Sequence, residues 1–224
     1  MATERLYFLD WLRVIAITVL VFFHTGMLFV GWGWHIENNI TVPALEIPMD
    51  IAHRLRMPLL FIIAGASLVF TQTHRTIWQA LNERRHKLLW PALFGIFVIV
   101  PPQIYIERLV NRQFSGSYWQ FYLDRVLQFQ PYPAGDFSWH HLWFIVYLFV
   151  YSLLLIPLLA TLRRRFSNQQ PYRLYFFAVL IGANEALLKP LFPQTHNLVH
   201  DWYLFNHYLL FTVCGIYLAC NAYL

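Results

Sequence analysis

Arg13 and His24 stand eleven residues apart in an otherwise aliphatic run, LDWLRVIAITVLVFFHT. Eleven steps of about 100° make roughly three helical turns, so both side chains project from one face, about 16 Å apart along the axis. Asp10 precedes Arg13 by three residues, the spacing at which a carboxylate and a guanidinium meet on a helix. A histidine, whose ordinary pKa is about 6.5, can take the proton of a hydroxyl as it attacks. An arginine can orient a substrate or offset developing negative charge. His24 is therefore a candidate base; a covalent role for it, or a buried histidine bonded to a neighbouring helix, stays open. Arg13 is either that orienting cation or a side chain snorkelling to the interface.

Other ionisable groups stand in or beside apolar runs. Glu185 lies within 174–188, where a carboxylate is costly unless protonated or paired, and a cavity-facing position is the other option. Arg54 and Arg56 precede the run 57–70, placed to bind an anionic acceptor or to snorkel. His196 and His200 in HNLVH have metal-ligand spacing, yet His140–His141 lacks a companion at 137, which is Phe, and no metal is expected. Cys214 and Cys220 are six apart in one apolar run and offer no disulfide framework.

The elements that position these groups follow from composition. The 224 residues are 58% hydrophobic, 19% aromatic and 12% charged, with mean hydropathy +0.47. A soluble domain carries about 25% charge, so this chain lacks the polar surface a soluble globule needs. Its pI of about 9.3 and net charge of +5 arise from small basic groups between long apolar runs. That pattern speaks for membrane topology and against disorder or nucleic-acid binding. Runs at 11–30, 57–70, 88–106, 142–162, 174–188 and 202–224 approach the roughly 20 residues of a spanning helix, the second and fifth being short. The first run has no small-residue cleavage site and reads as a retained helix.

The expected architecture is an all-α, polytopic transmembrane helical bundle of about six spans with a cytoplasmic N-terminus. In that orientation Arg5, Arg75, Arg84, Arg85, Lys87, Arg163, Arg164, Arg165 and Arg173 lie inside. Arg54, Arg56, Arg108, Arg112, Arg125 and Lys189 lie outside, so the basic excess is cytoplasmic. Among the acids only Glu4 and Glu83 fall inside. Pro91, Pro101, Pro102 and Pro157 are expected to kink helices whose freed carbonyls find partners. In the long outer loop, YWQFYLDRVLQF suits an amphipathic helix on the membrane surface.

The stretch ERLYFLDWLRVIAITVLVFFHT resembles the first helix of the acyltransferase family 3 membrane proteins. Their hallmark is an arginine, ten residues and a histidine, matched by Arg13 and His24. RMPLLFIIAGASL resembles the family's second helix, with Ala64-Gly65 where Ser-Gly is usual. NERRHKLLWP stands where the family often has Arg-x-x-Arg; Arg84 followed by Lys87 matches only approximately. HHLWFIVYLFVYSLL resembles its His-Leu-Trp-Phe helix start, at His141 to Phe144. With YFLDWLR, this is similar to the glucan-modifying subgroup, and the resemblance covers nearly the whole chain.

The resemblance implies transfer of an acyl group, usually from acyl-CoA, to a hydroxyl of a carbohydrate or cell-envelope acceptor. It implies a multi-pass protein of the cell inner (plasma) membrane that acts in the lipid bilayer, without nucleic acid and without a permanently bound cofactor. His24 is then the catalytic base, with Arg13 and Asp10 beside it. Arg84, Arg85 and Lys87 either attract the phosphates of the donor or simply mark topology. His141, Trp143, Glu185, Arg54 and Arg56 are candidate substrate contacts. The competing class is a transporter or exporter of a lipid-linked or envelope molecule, although no inverted repeat is apparent. Family members are usually longer, so residues 1–224 read as one acyltransferase transmembrane domain, the N-terminal portion of a larger enzyme or a truncated product.

Overall fold

A bilayer interior offers backbone groups no water, so long apolar runs satisfy them internally as helix. The computed structural model describes residues 7–34, 37–71, 75–167 and 170–221, and every regular element among them is helical. Five segments are long and apolar enough to cross a membrane: Tyr7–Gly26, Pro43–Thr71, Ile77–Val110, His140–Phe166 and Trp202–Cys220. Within them lie α1 (Tyr7–Gly26), α2 (Glu46–Thr71), α3 (Ile77–Arg84), α4 (Trp90–Phe94) and α5 (Val100–Val110). A short α6 (Tyr118–Asp124) follows, then α7 (Trp143–Phe166), α8 (Leu174–Leu188) and α9 (Trp202–Cys220). The charges Glu4 and Arg5 and the end of the predicted last span, 222–224, lie outside the described residues.

The predicted run 174–188 is α8, whose 15 residues extend about 22 Å, short of a hydrocarbon core of about 30 Å. It nevertheless runs antiparallel to α9 over most of that helix. Near its start Phe177 packs on Tyr217 (ring centroids 5.5 Å apart), and near its end Asn184 donates to the Tyr203 carbonyl at 3.1 Å.

The chain divides into two compact units, Met1–Thr76 with Leu154–Leu224, and Ile77–Leu153. In the first, α2 and α9 meet backbone to backbone. A Cβ on Gly65 would run into the Thr212 carbonyl, and one on Gly215 into the Ile62 carbonyl. Small residues admit this approach, and without a hydrophobic force between helices in lipid, close packing is what holds them. Ser67 and Thr212 at this level return their hydroxyls to the Ile63 and Tyr208 carbonyls at 2.5 and 2.8 Å. Helix α1 buries a stripe of Leu9, Ala16 and Phe23, spaced by seven, and packs on α2. Its other faces show Val14, Ile15, Ile17, Val21 and Phe22, the composition of a lipid-facing surface. Beyond α1 the chain turns, and Met27 and Val30 join Phe23 and Met49 in a small core completed by Trp34, Leu45 and Ala52.

In the second unit the segment Ile77–Val110 continues through its prolines by widening rather than breaking. Two π-helical turns, Arg85–Leu89 and Gly95–Ile99, precede Pro91 and Pro101. A proline has no N–H and crowds the carbonyl four residues back, which a wider turn relieves. Phe97 would look for a donor at Pro101 or Pro102, and neither has one. The Tyr122 hydroxyl supplies it at 3.1 Å.

The segment after α5 folds back on that helix: Phe121 and Val126 are buried against Val100 and Ile104. The predicted surface helix is thus a seven-residue α6, closed by a Ser117–Gln120 capping box, and a 3-10 turn at Val126–Gln128. Trp119 and Leu123 are exposed while Phe121 and Val126 face inward. Arg108 ties this cap together. Its Nε meets Asp136 Oδ1 at 2.6 Å, Nη1 meets Gln113 Oε1 at 2.5 Å, and Nη2 reaches the Pro133 and Gly135 carbonyls at 3.0 and 3.1 Å. The Tyr132 hydroxyl donates to Glu107 Oε1 at 3.0 Å. Burial and that bond push the Tyr132 phenol up to about 12.

Candidate functional site

Helix α1 carries its two basic groups to opposite ends of the first unit. Toward its start, Arg13 Nη1 meets Asp10 Oδ1 at 2.8 Å, the i, i+3 pair expected from spacing, and Nη2 donates to the Ser67 hydroxyl of α2. At the same level of α2, Arg163 of α7 donates to the Val69 carbonyl. Arg13 thereby joins α1 to α2, with one bond from each terminal nitrogen to a protein oxygen.

His24 lies about 16 Å away along the helix. Its Nδ1 is 2.8 Å from the Leu20 carbonyl. A carbonyl only accepts, so Nδ1 carries the proton and the lone pair sits on Nε2, the tautomer a base requires. The ring stands edge-on to Phe23 at 5.8 Å between centroids and 6.0 Å from Trp34. Two groups of α2 approach the same Phe23 ring. His53 stacks at 5.7 Å, and the Arg56 Cζ lies 3.2 Å from the centroid. His53 and Arg56 are three residues apart and so share a helix face. Phe23 is buried, and it serves as the platform on which two imidazoles and a guanidinium converge.

Arg56 is bonded differently from Arg13. Its Cζ lies over the Phe23 ring, a contact that uses none of its N–H groups as hydrogen-bond donors to oxygen. Nε and Nη1 are buried with no hydrogen-bond partner among the described residues. Nearby, Trp32 is 6.3 Å from His53, and Tyr208 stacks on Phe61 at 4.5 Å. In the loop before α9, the His196 amide donates to Asp201 Oδ2 at 2.6 Å. Burial, reinforced by His53, holds the His196 imidazole down at about 4.

The remaining candidates are placed as follows. Arg54 pairs with Asp50 at 2.9 Å on an exposed surface. Glu185 is exposed and pairs with Lys189 at 2.6 Å, so pairing meets the cost of a carboxylate in α8. The other five belong to the second unit. Arg84 ends α3; Arg85 donates to Asn82 Oδ1 and Lys87 to Glu83 Oε1, each at 2.6 Å, along the first π turn. His141 is exposed in a 3-10 turn, His140–Leu142, and Trp143 opens α7 edge-on to Tyr147 at 5.4 Å. Among the described residues no three His, Cys, Asp or Glu gather to hold a metal.

Sequence reasoning missed His53 and His207. His207 sits in α9 against Tyr203 and Phe211, with centroids 5.5 and 5.0 Å away. It meets the criterion that singled out His24, an ionisable group inside an apolar run. His53 stands outside the predicted run 57–70, because α2 begins eleven residues earlier, at Glu46.

The family model for the acyltransferase domain matches residues 6–223. The chain is similar to glucans biosynthesis protein C of Escherichia coli O6:K15:H31, with 24% identity over 172 residues, 74% of this chain and 42% of that protein. The protein of the same name from Salmonella paratyphi B is 21% identical over 221 residues, 93% of this chain and 55% of that one. The chain therefore spans about half the length of the curated relatives it matches. No solved structure matches it.

Proposed function

The chain belongs to acyltransferase family 3, matched from residue 6 to residue 223, and from that premise we propose that it moves an acyl group from acyl-CoA to a hydroxyl of a carbohydrate or envelope acceptor. A glucan is the acceptor that the names of its relatives suggest. The protein acts as a multi-pass component of the inner membrane. The observation that carries this reading is the contact of His24 Nδ1 with the Leu20 carbonyl, which sets the neutral tautomer and puts the basic nitrogen at Nε2. An alcohol is a poor nucleophile at neutral pH, and a base positioned in an apolar surround speeds its attack by about 10²–10⁴-fold.

With the N-terminus in the cytoplasm, the Arg13 end of the first unit faces in and the His24 end faces out. The phosphates of the donor enter from the inner side, where Arg84, Arg85 and Lys87 attract them. Arg13, with Asp10, orients the donor along α1. The acceptor approaches from the outer side, where Arg54 and Glu185 of the first unit are its contacts. Replacing His24 by Ala is expected to leave membrane insertion intact and to abolish attachment of label from acyl-CoA to envelope glucan. Undiminished transfer overturns the assignment. Substrate movement across liposomes without any acyl transfer favours a transporter instead.

A further inference from the structure

We infer that Arg56, rather than Arg13, is the cation that works with His24, stabilising the oxyanion formed on the acyl carbonyl. The inference rests on the acyl-transfer reading and deepens it. Arg13 stands about 16 Å from His24 along α1, with Nη1 on Asp10 and Nη2 on Ser67. Arg56 shares with His24 the Phe23 ring, at 3.2 and 5.8 Å from its centroid. A buried charged donor without an acceptor is costly, and folded proteins rarely keep one without a use. Nε and Nη1 of Arg56 are two such donors on one side chain. The contact with Phe23, 3.2 Å from Cζ to the ring centroid, restrains the guanidinium before any substrate arrives. Donors held ready in a water-poor site stabilise developing charge without reorganising.

The step balances as follows. The acceptor hydroxyl oxygen bonds to the thioester carbonyl carbon while its proton passes to His24 Nε2. The carbonyl π pair moves onto oxygen, and that oxyanion accepts from Arg56. The pair then returns, the carbon–sulfur bond breaks, and the coenzyme A thiolate leaves with the proton that His24 gives back. Arg56 keeps its charge throughout.

The test compares wild type with Arg56→Gln, Arg56→Lys, Arg13→Gln and His24→Ala. Each is assayed as the full chain in open membrane vesicles with labelled acetyl-CoA and a β-glucan oligosaccharide, per molecule of inserted protein. Arg56→Gln is expected to lower kcat about 10²–10³-fold, the loss typical of an oxyanion donor. The KM for acetyl-CoA should stay within about threefold, as for an interaction made only in the transition state. Arg56→Lys should recover about tenfold of that loss, because a point charge replaces part of what a planar donor supplies. Arg13→Gln, which removes a group that orients the donor, should act mainly by raising the KM for acetyl-CoA, with a smaller fall in kcat than Arg56→Gln. Any Arg56→Gln result that leaves kcat intact, with KM raised or not, overturns the inference. Should that variant fail to accumulate, Arg56→Lys decides by the same split: a lower kcat at constant KM supports the inference and an unchanged kcat overturns it. A wild type that transfers no label sinks the acyl-transfer reading and this inference with it. Transfer by wild type and by Arg56→Gln alike, but not by His24→Ala, sinks only the role of Arg56.

Discussion

Arg56 and Arg108 invite comparison, one from each unit. Both belong to apolar helical segments and both lie over an aromatic ring, with Cζ 3.2 Å from the Phe23 centroid and 5.3 Å from the Tyr132 centroid. Their in-plane donors fare differently. Arg108 has a carboxylate, a side-chain amide and two backbone carbonyls, and with Asp136 it is nearly buried, at 13% and 5% exposure. Arg56 has two buried nitrogens with no acceptor among the described residues. A charge matched on every side holds a loop in shape. A charge left unmatched keeps donors to offer, and the role proposed for Arg56 is built on them.

The largest expected effect breaks the matched site. Arg108→Ala leaves Asp136 buried without its main partner and should cost about 3–5 kcal/mol. Thermal unfolding in detergent and faster proteolysis of the 129–139 loop would report the loss. Arg56→Gln should leave the unfolding midpoint unchanged or raise it; an equal drop in both variants would erase the contrast. Next in size is Gly215→Ala, whose added methyl meets the Ile62 carbonyl and should cost about 1–3 kcal/mol. This locates the stability of the first unit in its glycine seam, and a midpoint unmoved by the methyl would say otherwise.

Acid and alkali should separate the two regions. Tyr132 titrates near 12 when folded, against an ordinary value of 10.0. Above pH 10 the unfolded chain releases a proton that the folded chain keeps, so this contribution is complete below pH 10 and is lost toward pH 12. Tyr132→Phe should remove that alkaline loss. His196 titrates near 4 when folded, against 6.5. Below pH 6.5 the unfolded chain binds a proton that the folded chain refuses, so stability is full above 6.5 and declines toward 4. His196→Gln should flatten that acid limb in the unfolding midpoint measured against pH. The smallest effect is expected of the double variant Arg108→Met with Asp136→Leu. Replacing both members of a buried pair by apolar groups is often neutral, within about 1 kcal/mol.

Much of this was legible in the residues. Apolar runs mark the helices because a bilayer leaves backbone groups no other partner. The Asp10–Arg13 pair is local, and helical spacing announces it. The partners of Arg108 are not local: Asp136 lies 28 residues on, beyond the reach of any periodicity. The site around Phe23 was half visible. His24 and Arg56 were candidates, but their meeting depends on how α1 crosses α2, and that follows from close packing along the helices. The π turns were foreseen only as kinks, since a proline says that a hydrogen bond is lost and not how the neighbouring turns absorb it.

The glycine seam carries a consequence for how the protein is made. Gly65 and Gly215 stand about 150 residues apart in the chain, yet each needs the other's helix to cover it. At about 5–20 residues per second, α2 waits roughly 8–30 s before α9 emerges from the ribosome. During that interval its bare glycine face must be occupied by lipid or by the insertion machinery. Assembly of the helix that bears His53 and Arg56 is therefore paced by translation downstream of it, so slowing synthesis between α2 and α9 prolongs the time for which that face is exposed.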